Sequence, residues 1–270
     1  MNDERHWGKG RLDKASLIDV TVPNAIRAAD FLHGGKDNFA ADREAVRVIT
    51  ASAPVIERIP AEAHAFRDRA IRYLVAEAGV RQFLDIGTGL VSPGATHEMA
   101  QAIAPECRVV YTDSDLMVLS RAQTMISSAR PGTVSCVGGG IADVDAIVAT
   151  ALPALNLSEP VAILVSALAH VPTTIAAIRV VSTLMAAVPS GSYAVLHHMG
   201  NDLDPAMPAA LRQWNKTAPA PITLRSRADI LSLVSGLDLI PPGVVPVTEW
   251  RRDGAPAAPV PVHGVVARKP

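Results

Sequence analysis

Phe83-Leu84-Asp85-Ile86-Gly87-Thr88-Gly89-Leu90 is an apolar run with one acidic residue, closed by two glycines one residue apart. Phe83, Leu84 and Ile86 suit a strand buried on both faces. Gly87 and Gly89 permit a tight turn that brings backbone close to a ligand. The stretch therefore reads as a strand-to-helix turn built around a nucleotide-containing cofactor. A dinucleotide fingerprint requires a third glycine, so that a pyrophosphate can rest on the helix N-terminus. Ser92 stands at that position, and Asp85 suits a cationic amino-acid group better than a phosphate.

One βα unit further on, Val109-Val110-Tyr111-Thr112-Asp113 repeats the pattern of a strand ending in a carboxylate. A carboxylate at the end of the second strand can accept hydrogen bonds from both hydroxyls of a ribose. That role falls to Asp113, with Ser114 beside it and Asp115 as the N-cap of the next helix. Asp85, the two glycines and Asp113 together point to S-adenosylmethionine (SAM), whose methionyl ammonium and sulfonium are positive.

Around these motifs, strand-like stretches at 82–86, 109–112, 133–137, 161–166 and 192–198 alternate with helix-like ones at 94–103, 116–128, 143–150 and 174–188. Such a βαβα succession predicts a parallel sheet with helices on both faces. Two helices follow at 206–214 and 227–234, and the apolar stretches 237–240 and 262–267 suit a terminal antiparallel hairpin, with GAPAAPVP at 254–261 as a surface loop. Upstream, residues 1–23 read as a polar arm. A short helix at 24–32 ends at His33-Gly34-Gly35, another begins near Asp42, and a third spans 61–78. In that third helix Phe66, Ala70, Ile71, Leu74 and Val75 mark the buried face, and Arg67, Asp68 and Arg72 the polar one. The expected organisation is an arm at 1–23, a helical cap at 24–79 and a cofactor-binding domain at 80–270, joined in one structural unit.

The chain has 270 residues, 49% hydrophobic and 19% charged, which is enough for a sizeable core. A net charge of -1 provides no basic field for nucleic acid. The most apolar stretch, Val161 to Val171, is too short to span a bilayer. The charged N-terminus lacks an apolar segment of the secretory kind, and Cys107 and Cys136 lack metal-binding spacing. These features predict a cytoplasmic protein with reduced thiols, no bound metal, and neither nucleic acid nor membrane as partner. A homodimer is left open.

Six segments carry a family resemblance: FLHGGKDNFAADREA at 31–45, VRQFLDIGTGL at 80–90, THEMAQ at 96–101, VVYTDSD at 109–115, PSGSYAVLHH at 189–198 and RSRADILSLVSGLDLIPPGVVPVTEW at 225–250. In them the chain resembles the class I SAM-dependent methyltransferases. It resembles more narrowly an actinobacterial group long catalogued as a domain of unknown function. The resemblance runs roughly from Val22 to Arg251. It implies a seven-stranded, mostly parallel α/β sheet of Rossmann-like type, SAM lying across the C-terminal strand ends, and an N-terminal helical cap over the site.

By position, Asp85, Gly87 and Gly89 form the family's first motif and Asp113 takes the ribose. The family tends to carry A-D-L-R-D after strand 3, where a carboxylate receives the adenine amino group. Gly140 occupies that place here, so the backbone of Gly140 and Ile141 is expected at the ring edge. The family's Y-D-Y before the glycines is Ala29-Asp30-Phe31, whereas Lys36-Asp37-Asn38-Phe39 is kept, as a helix-entry turn or as pocket lining. Ser166, ending the fourth strand, completes the expected cofactor contacts.

Four histidines are candidates for a base that deprotonates an acceptor. His97 begins the first helix after the glycine turn, His170 follows the fourth strand, and His197 and His198 end the fifth. By location His170 comes first, although core packing competes for each. Alignment alone can also carry methyl transfer. The function expected is transfer of a methyl group from SAM to a small molecule. Two rivals are non-methylating SAM chemistry, such as cyclisation or elimination, and a non-catalytic ligand-binding protein on the same fold.

Overall fold

The computed structural model describes residues 18–90, 94–126, 133–255 and 257–270. Most of the expected arm, Ser92 and the last two residues of the helix expected at 116–128 lie outside the described residues.

Five strands form the parallel part of the sheet: β1 (Gln82–Ile86), β2 (Arg108–Asp113), β3 (Val134–Gly138), β4 (Ala162–Val165) and β5 (Tyr193–Met199). Three more complete it, namely β6 (Asp238–Leu239), β7 (Val245–Pro246) and β8 (Val262–Arg268). The order is β3-β2-β1-β4-β5-β8-β6. β8 runs antiparallel to β5, from Tyr193 opposite Arg268 to Met199 opposite Val262. On its other edge β8 pairs with β6 at one end and β7 at the other. The seventh sheet position is thus one edge shared by two short segments. The antiparallel pairing expected of 237–240 with 262–267 is present, with β7 inserted in the connection.

Side chains alternate between two cores, as a doubly covered sheet requires. Leu84, Val110, Ile163, Leu196 and Val265 face α6 (Val144–Ala151), α7 (Thr174–Ala186) and α9 (Arg227–Leu233). Phe83, Val109, Leu164, Val195 and Val266 face α3 (Ile59–Ala76) and α4 (Thr96–Ile103). Asp85, two residues after Phe83, shares the α3 side. Helix α5 (Leu116–Ile126) follows β2. Its cap is the predicted one, Asp115 Oδ1 accepting from Met117 N at 2.8 Å.

A third core joins α1 (Ala25–Leu32) and α2 (Ala40–Ser52) to α8 (Met207–Thr217), through Ala28, Val46, Ile49, Leu211 and Trp214. Helix α3 belongs to the sheet core, and the cap borrows α8 from beyond β5. Arg27 Nε and Asp42 form a buried 2.8 Å ion pair inside this cap. Asn24 anchors the cap to the sheet, donating from Nδ2 to Asp115 at 3.1 Å while capping α1.

The kept Lys36–Phe39 segment has a structural job. Asp30 accepts from Asp37 N and Asn38 Nδ2, each at 2.8 Å. A Cβ at Gly35 would meet the Asp30 carboxylate at 2.1 Å. Arg43 in turn binds Asn38 through both its carbonyl and its side-chain oxygen.

Candidate functional site

The chain leaves β1 towards β2 and β3, then crosses back to place β4 on the other side of β1. The C-terminal ends of β1 and β4 thus border the switch-point crevice where open α/β sheets bind ligands. Gly87 and Gly89 both adopt φ of +70° there, for different reasons. A Cβ on Gly87 would lie 2.3 Å from Ala167 Cβ, because the chain after β4 presses against the turn. A Cβ on Gly89 would meet nothing within 4 Å. Its open face is turned to a cavity.

That cavity, of about 550 Å³, is within the range of small-molecule sites. It brings together Gly87, Gly89, Asp113, Ser114, Gly140, Ile141, Ser166 and His170 of the sequence-derived residues. The cap contributes Asn24, Ala29, Asp30 and His33, and the segment after α8 contributes Pro219 and Ala220. Asp113 is 6% exposed and accepts from Asp115 N at 2.9 Å and Gly89 N at 3.3 Å. Burial raises its pKa above the usual carboxylate value. A Cβ at Gly140 would stand 3.1 Å from both Cβ and Oγ of Ser114. An acidic side chain at 140 is therefore crowded by Ser114.

Asp85 lies beside this cavity rather than on it. It lines a smaller pocket of about 200 Å³ under α3, continuous with the first through Ala29, His33, His64, Thr88 and Ser166, which border both. Thr96 Oγ1 donates to Asp85 at 2.6 Å, and burial pushes the Asp85 carboxyl up. Arg67 lines the same pocket. Its guanidinium donates to Gly94 O at 2.6 Å and bonds Asp68, leaving its side chain 17% exposed. The polar face assigned to Arg67 is thus half turned inward.

The histidines divide sharply. His97 is buried in the core, its Nδ1 2.8 Å from Tyr111 Oη and its backbone N donating to the same oxygen at 2.9 Å. His198 is held at both nitrogens, Nδ1 2.9 Å from Met199 O and Nε2 2.6 Å from Arg225 Nη1. Burial brings its pKa down to about 4. His170 borders the larger cavity, with Nδ1 3.2 Å from Pro221 O. His197 lines the smaller pocket with its pKa pushed to about 4 by burial and then by Arg67.

Sequence reading passed over His33, His64, Thr88 and Arg67. His33 and His64 stack at 4.4 Å across the seam between α1 and α3. Burial, followed by Arg67 and the neighbouring imidazoles, lowers His64 to about 3. Only the i to i+3 spacing of His64 and Arg67 on one helix could have signalled a shared face. Among the described residues, no group of three or more His, Cys, Asp or Glu side chains is arranged to hold a metal. No described helix is long and apolar enough to cross a membrane.

Residues 12–270 match the family model for S-adenosyl methyltransferase. A DUF574 family protein from Streptomyces avermitilis has a solved structure that superposes with a TM-score of 0.88 at 34% identity, over 93% of this chain and 99% of that one. A Thermobifida fusca protein provisionally described as a methyltransferase gives 0.85 at 29% identity, over 93% and 96%. PigF, solved with S-adenosylhomocysteine (SAH), shares the fold at a TM-score of 0.50 and 12% identity, over 80% of this chain and 66% of that one. No curated protein matches the chain.

Proposed function

Since this chain belongs to the S-adenosyl methyltransferase family and SAM is its cofactor, we propose that it transfers the SAM methyl group to a small-molecule acceptor in the cytoplasm. The observation that carries this reading is the pair of confluent cavities beneath the cap, about 550 and 200 Å³, which meet at Thr88 and Ser166. A site of this size, roofed by α1 and α3, suits a small acceptor better than a polymer.

The residues present fit the cofactor. The open face of Gly89 leaves room for a ligand against the backbone. Asp113 accepts backbone N–H bonds from Gly89 and Asp115, with Ser114 N–H also directed at it, and a carboxylate's remaining lone pairs leave acceptor capacity for the ribose hydroxyls. The backbone of Gly140 and Ile141 meets the adenine edge, with Ser114 alongside. Asp85 receives the methionyl ammonium, and Arg67, on the same pocket wall, receives the carboxylate. SAM supplies an electrophilic methyl with a good leaving group; this chain aligns the acceptor and excludes water.

Titration calorimetry with SAH tests the cofactor assignment. Asp113→Ala is expected to weaken binding by about 1–3 kcal/mol, the worth of hydrogen bonds to a charged acceptor. Unchanged affinity removes Asp113 from the ribose.

A further inference from the structure

The smaller pocket lies on the sheet face to which Asp85 and His197 both point. Once Asp85 and Arg67 hold the amino-acid end of the cofactor, its remaining polar lining is the hydroxyls of Thr88 and Ser166 and the imidazoles of His33, His64, His197 and His198. His198 is committed at both nitrogens. The ring nitrogens of His64 and His197 have no hydrogen-bond partner among the described residues. Their protein contacts are made through ring faces and edges, His64 stacking on His33 and His197 meeting Phe66 edge-on at 6.5 Å. Both residues are part-exposed and line the pocket, so their nitrogens can hydrogen-bond a ligand that enters it.

We propose that this pocket is the acceptor subsite, that it takes a small hydroxylated aromatic molecule, and that His64 and His197 hold the hydroxyl that is methylated. The proposal rests on the SAM reading of the larger cavity. Ile59, Pro60, Ala63, Met199 and Val262 supply apolar walls for a ring. The stacked His33–His64 pair supplies a planar surface. Ala29, with its small side chain, borders both cavities.

The charges favour a hydroxyl over an amine. The titratable groups facing His64 and His197 are Arg67 from α3, His33 from the end of α1, Asp85 from β1 and His198 from β5. Burial and then Arg67 keep both rings neutral at pH 7. An ammonium must lose a proton before its nitrogen has a lone pair, and imidazoles this weakly basic do not take it. A hydroxyl oxygen already has lone pairs. As the O–C bond forms, the S–C bond breaks with its electron pair going to sulfur. The hydroxyl proton, by then strongly acidic, passes to an imidazole nitrogen and on to water. The products are the methyl ether, SAH and a proton.

Three ring probes of similar size, p-cresol, benzylamine and benzoate, test the assignment on SAH-saturated protein, read by the imidazole carbon–proton NMR signals. His64→Gln and His197→Gln assign the two rings, and calorimetry reports separately whether SAH is bound. The expected result is a saturable shift of both signals by p-cresol, with benzylamine and benzoate at least tenfold weaker. Each variant is expected to lower p-cresol affinity fivefold or more. SAH binding without a p-cresol response, or tighter binding of benzylamine or benzoate, overturns the acceptor assignment and leaves the cofactor reading standing. Failure of SAH to bind wild-type protein overturns both.

Discussion

Gly87 and Gly89 share a backbone conformation, yet they answer to different neighbours, and this separates folding from binding. Gly87→Ala forces a methyl to 2.3 Å from Ala167 Cβ and 3.0 Å from its backbone nitrogen. With the left-handed penalty added, the expected loss is about 3 kcal/mol or more of unfolding free energy. Gly89→Ala meets open space, so about 1–2 kcal/mol of conformational cost is all that stability should lose. SAH affinity is nevertheless expected to fall tenfold or more in Gly89→Ala, because the space beside it belongs to the ligand. Urea denaturation and calorimetry on the two variants decide the matter; equal losses of stability would remove the distinction. Gly140 gives a second residue-level test. Gly140→Asp alone is expected not to tighten SAH, since Ser114 lies 3.1 Å from the new Cβ. Gly140→Asp combined with Ser114→Gly is expected to tighten it about fivefold, the worth of one hydrogen bond of about 1 kcal/mol. The sequence made the exchange at 140 visible, but Ser114 as its reason appears only when β2 and β3 lie side by side.

At the scale of elements, the turn after β4 is held in place by a residue far along the chain. Arg225 is 1% exposed, and its guanidinium donates to the carbonyls of Leu168 at 3.0 Å, Val171 at 2.6 Å and Thr173 at 3.0 Å, with His198 Nε2 at 2.6 Å. Among the described residues no carboxylate bonds it directly, and backbone dipoles and a neutral imidazole solvate the charge. This clamp joins the segment bearing Ala167 and His170, and hence the wall behind Gly87, to the end of β5. Arg225→Met is expected to cost about 2–4 kcal/mol in urea unfolding, through orphaned carbonyls. It should also weaken SAH binding, since the Gly87 turn loses its backing. Arg225→Lys should recover only part, because an ammonium cannot reach the same set of carbonyls. A Met variant with unchanged stability would show that the clamp is dispensable. The strand and helix pattern from β1 to β5 was legible because hydrophobic runs and glycine stops are local signals. Arg225 was not, since its carbonyl partners lie more than fifty residues earlier and His198 lies 27 earlier, and a buried arginine has no local signature. Arg67 was misplaced for a related reason: helical periodicity identified a polar face, while the packing of α3 turned one edge of that face into a pocket.

For the whole molecule, the parallel sheet with helices on both faces follows from the alternation of elements, and the antiparallel β8 from the apolar stretch near the C-terminus. The cap does not. Its core draws Leu211 and Trp214 from α8, a pairing between chain segments that composition cannot show. The site between cap and sheet gathers His64, His197 and His198, all with folded pKa values well below the ordinary imidazole value. Between about pH 6.5 and 4 the unfolded chain binds protons at these rings that the folded chain does not. Their linkage therefore makes stability rise with pH through that window, and it is lost as pH falls towards 4. Asp85 and Asp113 work the opposite way. Burial raises their folded pKa values, so just above 3.8 the folded state holds the extra proton and gains as pH falls. His33 and His97 are shifted the same way, so five depressed imidazoles stand against two carboxyls, and the expected balance is a net loss of stability on acidification from pH 7 to 5. After allowance for solvent screening the loss is roughly 1 kcal/mol per imidazole. Urea unfolding at pH 7, 6 and 5 measures it. In His198→Gln, which removes one of the five depressed rings, the pH dependence should shrink. A wild-type stability that is flat or rising from pH 7 to 5 would mean that these rings are solvated enough to titrate normally, and the neutral-imidazole argument for the acceptor pocket would lose its electrostatic support.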